Sequence, residues 1–404
     1  MDSFYIHLDN NISIANIWVE GGTRLDKNKK GINQILCNLL TRGCKNFDNF
    51  AFSDYLDSYG AELNFEAVED GISICLKSFK QYFDELYPLI NLLIEEPNLY
   101  EKEFLICKEK ALNIILKAQE NPFYTTFDNL KKTIYKEHPY SYSCNGYLKN
   151  IKVIDYEEIL DEYKSFSYRK KFLLTNSFKD NLINIKEIKG NTYKNKDINL
   201  LTKKVINNKS HFINYYTNSK QMIIILGSQT CPHKHIDSLS LKIIESYLSY
   251  GMSSLLFKSF REKNGLTYDS GVFYPTRTYN APFFVYLSAA ERNAVLAYQL
   301  ITSIWEDLTT KLIDDDELSL AKLKLKTFFL HNYQTVEEIT SRKVRLLSLG
   351  MDPYYDEKAI DVIEKISSTE ILNVTRKYLI KPSISISGTK NTCKILRELW
   401  EKKY

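Results

Sequence analysis

The sequence predicts an α+β protein made of two tandem homologous α/β domains, each a mostly antiparallel sheet packed with helices. Three observations predict this. The chain has 404 residues, 44% of them hydrophobic, which is enough for two separate cores. Patterned segments of its first half recur in its second half at a nearly constant offset. Each copy also runs through strands and helices in the same order, so the repeat extends to whole elements.

The clearest recurrence is Ile151, Ile154, Glu158, Ile159 and Leu160 as Ile363, Ile366, Glu370, Ile371 and Leu372, an offset of 212. Tyr87, Leu89, Ile90 and Glu95 return as Tyr298, Leu300, Ile301 and Glu306, an offset of 211. A helix ending at Gly43 matches one ending at Gly251, an offset of 208. Three independent segments agree, and the slow drift reads as small loop insertions. The domains are placed at residues 1–186 and 210–404, with a polar linker at 187–209.

Each copy opens with an apolar strand, residues 12–19 and 221–226, followed by a helix closed by a glycine C-cap at Gly43 or Gly251. A second helix and a strand follow across Tyr59-Gly60 or Asn264-Gly265. Long amphipathic helices come next, at residues 84–94 and 314–331; in the latter Leu318, Ala321, Leu325 and Phe328 keep helical spacing. The acidic run Asp314, Asp315, Asp316 and Glu317 reads as a first helical turn complementing the macrodipole rather than as a cation site.

Charge excludes some partners. Fifty-four Lys and Arg nearly cancel 50 Asp and Glu, and the basic residues are spread along the chain, so neither nucleic acid nor an anionic membrane is expected. No segment reaches the roughly 18–20 apolar residues of a membrane span. Seven cysteines stand singly, with no C-x-x-C pair, which predicts free thiols and a cytoplasmic location.

The helix at residues 31–41 carries Ile32, Ile35, Leu36, Leu39 and Leu40 on one face and Gln34, Cys37 and Asn38 on the adjoining one. This stretch, through Thr41, Arg42 and Gly43, resembles the metal helix of the pitrilysin/insulinase family, the inverted zincins with H-x-x-E-H. Gln34, Cys37 and Asn38 take the His, Glu and His positions. Amides are weak neutral ligands for zinc, and a thiol does not replace the carboxylate general base. The position implied for the remaining Glu ligand falls near Leu112–Ile115 without a carboxylate, with Glu109 one turn away. The resemblance therefore implies that this chain binds no metal.

Two other stretches invite a metal or nucleophile reading. Cys37 as a nucleophile lacks a nearby activating histidine in the sequence and reads as an inert, partly buried thiol. His233 and His235 read as flanking a helix start near Asp237 or Ser238 rather than as ligands.

Gly251-Met252-Ser253-Ser254, leading to Arg261-Glu262-Lys263 and Gly265-Leu266 with Tyr268, resembles the same family's second-domain signature, R-E-K-x-G-L-x-Y. Glu95-Glu96-Pro97, Glu120-Asn121-Pro122 and His138-Pro139-Tyr140 carry the resemblance over nearly the whole chain. In the family the Arg and Tyr of that signature grip substrate carbonyls and the tetrahedral intermediate, which implies those roles for Arg261 and Tyr268. Guanidinium and phenol donors suit an oxyanion. The bland alternative is a surface cation and a sheet aromatic. A single Gly251 stands where the family often has several glycines, which argues against a flexible glycine-rich loop.

The resemblance implies a clamshell half that pairs with a homologous subunit carrying an intact H-x-x-E-H and its zinc, acting on extended peptides. A non-enzymatic scaffold of the same family is the alternative.

Overall fold

The computed structural model describes residues 1–177, 209–267, 269–331 and 333–404, and the backbone of a short strand at 186–187. The linker placed at 187–209 therefore falls almost wholly outside the described residues, as does Tyr268.

The first half of the chain contains β1 (Asp2–Tyr5), β2 (Ile12–Glu20), α1 (Ile32–Leu40), α2 (Asn49–Ser58), β3 (Glu62–Ala67) and β4 (Gly71–Phe79). Helices α3 (Phe83–Glu95), α4 (Glu101–Glu120), α5 (Pro122–Tyr135), α6 (Leu148–Val153) and α7 (Tyr156–Tyr168) follow, then β5 (Lys171–Thr175) and β6 (Lys186–Glu187). The second half contains β7 (Phe212–Tyr216), β8 (Gln221–Gln229), α8 (Asp237–Ser249), a π-helical turn at Phe257–Lys263, β9 (Ser270–Phe273) and β10 (Pro282–Ala290). It closes with α9 (Ala294–Thr310), α10 (Asp315–His331), α11 (Val336–Ser348), α12 (Tyr355–Lys365), α13 (Ser368–Tyr378), β11 (Ser383–Gly388) and α14 (Lys390–Glu401).

The two sheets are copies of one plan. Their strand orders are β3-β4-β2-β5-β1-β6 and β9-β10-β8-β11-β7, so every strand of the second has a counterpart at the same place in the first. Central pairs are antiparallel, while β1 on β5 and β7 on β11 are parallel. Those parallel strands, β1 and β7, are short and lacked a periodic signal in the sequence.

The repeat reaches individual caps. Asp155 opens α7 and Ser367 opens α13, each closing a capping box with the Glu three residues on, Glu158 and Glu370. The buried pair Tyr87 and Ile90 on α3 corresponds to Tyr298 and Ile301 on α9. The glycine caps differ. Gly251 directly follows the α8 cap residue Tyr250 with φ 73°, whereas α1 caps at Thr41, two residues before Gly43. There Thr41 Oγ1 donates to the Asn38 carbonyl at 2.9 Å and the Arg42 amide turns back to Leu39, so the first helix tightens early.

Contacts divide the chain into two compact units, Met1–Lys117 with Tyr142–Ile198 and Leu330–Tyr355, and Ala118–Ser141 with Asn199–Phe329 and Asp356–Tyr404. Within the first, α11 packs on β2 and β5, where Val344 and Leu347 meet Trp18, Phe172 and Leu174. Within the second, the equivalent helix α5 packs on β8 and β11, with Leu130 and Ile134 against Ile223, Ile225 and Phe284. Each sheet is thus covered on one face by the helix that the repeat assigns to the other half of the chain. Its opposite face supports the larger core, which in the first unit includes the inner side of α1.

Candidate functional site

Helix α1 is anchored at its start by buried polar groups. Gly31 has φ 100°, and a Cβ there would lie 2.4 Å from Ile151 Cδ1 and 2.9 Å from the Asn145 carbonyl, so the position admits glycine alone. The Asp26 carboxylate accepts from the Gly31 amide and from Asn33 Nδ2, both at 2.6 Å. Arg169 donates to Asn33 Oδ1 at 2.8 Å and pairs with Glu162. Burial pushes the Asp26 carboxyl up to about 6, against the lowering effect of its hydrogen bonds from Asn33 and Gly31.

One turn on, the positions aligned with the two histidine ligands, Gln34 and Asn38, separate from the one aligned with the general base, Cys37. Cys37 is 1% exposed among the apolar side chains of the first core, and burial raises its thiol far above the ordinary range. Burial of this kind disfavours both thiolate ligation of a metal and nucleophilic attack. Gln34 and Asn38 are half-buried, and Asn38 Nδ2 donates to the Gln34 carbonyl at 2.9 Å, a bond within the helix. Glu109 is exposed on α4, whose buried side presents Phe104, Cys107, Ala111 and Ile115. Two amides and a protonated, core-buried thiol do not make a zinc donor set. Among the described residues no group of three or more His, Cys, Asp or Glu side chains is placed to hold a metal ion.

Beside Asn38 lies a polar cleft bordered by Arg42 and by Lys110 of α4. The sequence reading singled out neither cation. Arg42 carried a signal, being four residues after Asn38, but Lys110 reaches the cleft through packing between helices distant in sequence.

In the second unit, the segment resembling R-E-K-x-G-L-x-Y forms a π-helical turn, a rare conformation enriched at functional sites. Phe260 is its buried anchor, and the Leu266 amide returns to the Phe260 carbonyl at 2.8 Å. Gly265 turns the chain with φ 56°, and its amide bonds the Arg261 carbonyl at 3.0 Å. Arg261 is left exposed, its guanidinium 5.1 Å from the Phe257 ring centroid. It borders a cleft of about 280 Å³ with Gly251, Met252, Ser254, Thr267 and Ser270.

The remaining candidates have structural partners. His235 Nδ1 accepts from the Asp237 amide at 3.1 Å, and Ser238 Oγ donates to the His233 carbonyl at 2.7 Å, so this histidine pair organises the start of α8. Asp314 accepts from the Asp316 amide at the start of α10. All seven cysteines are free thiols, and Cys144 alone is not fully buried.

Two copies of one α/β plan, the first carrying Gln34, Cys37 and Asn38 on α1 and the second carrying Arg261 on a π-helical turn, make a two-domain metallopeptidase-type fold. Residues 5–146 match the insulinase family, peptidase family M16, and residues 179–325 match the peptidase M16 inactive domain. The chain belongs to the peptidase M16 family, as a member lacking the family's metal ligands on α1.

It is similar to an uncharacterized zinc protease of Rickettsia felis, 22% identical over 390 residues that span 90% of this chain and 88% of that protein. It is also similar to the non-peptidase homolog YmxG of Helicobacter pylori, 21% identical over 87% of this chain and 82% of that one. Among solved structures, a protease from Helicobacter pylori superposes with a TM-score of 0.83 at 17% identity, covering 95% of this chain and 96% of that one. A peptidase M16 inactive domain from Pseudomonas fluorescens does so at 0.81 and 16%, covering 96% and 95%. At these identities the structures speak for the fold. No helix among the described residues is long and apolar enough to cross a membrane.

Proposed function

We propose that this chain is the non-metal-binding subunit of a cytoplasmic two-subunit zinc peptidase. A homologous partner with an intact H-x-x-E-H supplies the metal and its water. This chain supplies substrate binding and transition-state stabilisation. The observation that carries the reading is Arg261: exposed, carried on a π-helical turn and bordering a cleft, in a chain whose own metal positions hold Gln34, Cys37 and Asn38. A guanidinium so presented donates to the carbonyl oxygen of an extended peptide and strengthens that bond as negative charge develops on the oxygen. Tyr268, seven residues on, is assigned the second donor.

The test is reconstitution. The purified chain, a homologous H-x-x-E-H subunit and their mixture are assayed for complex formation, zinc content and cleavage of an extended peptide. Activity confined to the mixture, with zinc on the partner, is expected; neither complex nor activity on mixing would sink the reading. A second reading is a scaffold subunit of the same family with no proteolytic role. It predicts a complex whose peptidase activity is indifferent to Arg261.

A further inference from the structure

We propose that a cleft at the start of α5 binds a guanidinium carried on an aliphatic stem, the chemistry of an arginine side chain. The cleft lies wholly within the second unit and encloses about 360 Å³, the low end for a ligand pocket and ample for one such side chain. Its floor is the end of a sheet face. Gln221 and Ile223 are alternate residues of β8, Tyr286 and Ser288 of β10, and Ile223 pairs with Ser288 across the strands. The Ser288 amide donates to the Asp269 carbonyl at 2.9 Å, which sets Asp269 beside Ser288 just before β9. Pro122, Phe123 and Tyr124 of α5 form the wall.

The charge in the cleft is negative and uncompensated. Among the described residues that line it Asp269 alone is ionic, and Asn121, Ser219, Gln221, Tyr286 and Ser288 are neutral. The Asp269 carboxylate is exposed and makes no hydrogen bond or ion pair among the described residues. Its backbone is fixed all the same, the amide donating to Thr267 Oγ1 at 2.9 Å. The start of α5 offers no competing anion site. Pro122 has no amide proton, the Phe123 amide donates to Asn121 Oδ1 at 2.9 Å, and the Tyr124 amide donates to the Asn121 carbonyl at 3.1 Å. A lone carboxylate is too few oxygen ligands for a divalent metal ion, so the sign of the charge points to an organic cation.

The rings select among cations. Gly271 of β9 pairs with Tyr286, and a Cβ there would lie 2.8 Å from the Tyr286 hydroxyl, so a glycine is what lets that ring lie across the edge strand. Burial, and after it the charge of Asp269, holds the Tyr286 phenol above its ordinary range, which keeps it a neutral donor near the carboxylate. Phe123 meets Tyr286 edge-on with centroids 5.1 Å apart, and Tyr124 is 55% exposed at the rim. A guanidinium is planar and weakly hydrated, stacks on such rings and matches a carboxylate with its fork, whereas an ammonium gains less from both. The site stands on this chain alone, using neither a metal-bearing partner nor Arg261.

The test uses the full chain without any partner. A fluorescent pentapeptide with a central arginine and both ends blocked is titrated beside the same peptide carrying citrulline, the neutral isostere, with agmatine as competitor. The arginine peptide is expected to bind about tenfold more tightly than the citrulline one. Displacement by agmatine would make a free alkylguanidine the source of the cation, and displacement by unlabelled peptide alone would make it a peptide side chain; the site stands in both cases. Asp269→Asn removes the charge and Gln221→Arg places a rival guanidinium in the cleft. Both positions are exposed, and each change is expected to weaken the arginine peptide about fivefold or more while leaving the thermal transition in place. Equal binding of the arginine and citrulline peptides, absence of binding by either, or unchanged affinity in either folded variant would each overturn the proposal.

Discussion

Asn16 on β2 donates from Nδ2 to Thr340 Oγ1 on α11 at 2.7 Å, across 324 residues of sequence. The same amide reaches Ser341 Oγ at 3.0 Å, and Asn16 itself is fully buried. This bond lies where the late helix covers the early sheet, next to the apolar contacts of Val344 and Leu347 with Trp18. Replacing Asn16 with Ala removes both bonds and takes a donor from the buried Thr340 hydroxyl, so a loss of about 1–3 kcal/mol is expected. Urea unfolding of the variant measures it, and an unchanged midpoint would mean that the pair contributes nothing net.

Cys37 offers a direct probe of the degenerate metal helix. Cys37→Glu restores the family's residue type but inserts a carboxylate into the apolar core, where desolvation is uncompensated. A destabilisation of about 3 kcal/mol or more follows, visible as a large drop in Tm. In the native wild-type chain, alkylation at mildly alkaline pH is expected at Cys144 and not at Cys37 until the protein unfolds, as mass spectrometry would show.

Arg261 behaves oppositely, because its side chain is exposed. Arg261→Ala should leave Tm within about a degree, since exposed substitutions seldom exceed 0.5 kcal/mol. In an active reconstituted mixture it should lower turnover by roughly one to three orders of magnitude. Tyr268→Phe tests the second donor in the same assay. A Tm loss without a turnover effect would assign Arg261 a packing role instead.

Asp26 makes stability depend on pH with a defined sign. Burial, the dominant cause, raises its folded carboxyl from 3.8 to about 6, although Asn33 and the Gly31 amide pull the other way and Glu162 adds to the rise. The folded state therefore holds the proton more tightly than the unfolded chain. Its stabilising contribution is complete below about pH 4 and disappears as pH rises through about 6. Against Asp26→Asn, which cannot titrate, the wild type should gain stability on going from pH 7 to pH 4, on the order of 2–3 kcal/mol. A gap between the two proteins that stays constant over this range would show that the hydrogen bonds offset the burial.

Much of the architecture is legible in local spacing. The apolar stripe of Ile32, Ile35, Leu36, Leu39 and Leu40 becomes the buried side of α1. The recurrence of residues 151–160 at 363–372 becomes two helices opened by matching capping boxes. Acidic residues read as a first turn do start α10. Period, cap chemistry and glycine conformation act over a few residues, so they can be read along the chain. The short parallel strands β1 and β7 were not legible, because four or five residues carry no usable period and their pairing is with distant strands.

The site divides in the same way. Residue types alone showed that Gln34, Cys37 and Asn38 are poor zinc donors, since an amide has no imidazole nitrogen whatever its surroundings. That Cys37 turns into the core while Gln34 and Asn38 stay at its edge depends on what packs against α1.

The primary structure carries the doubled α/β plan and the loss of metal-ligand chemistry, because both reside in short-range pattern and side-chain identity. Long-range packing assigns α11 to the first sheet and α5 to the second, and brings Lys110 beside Arg42. Both helices bear an apolar stripe and both sheets an apolar face, so periodicity fits either pairing; shape, burial and bonds such as Asn16 to Thr340 select one.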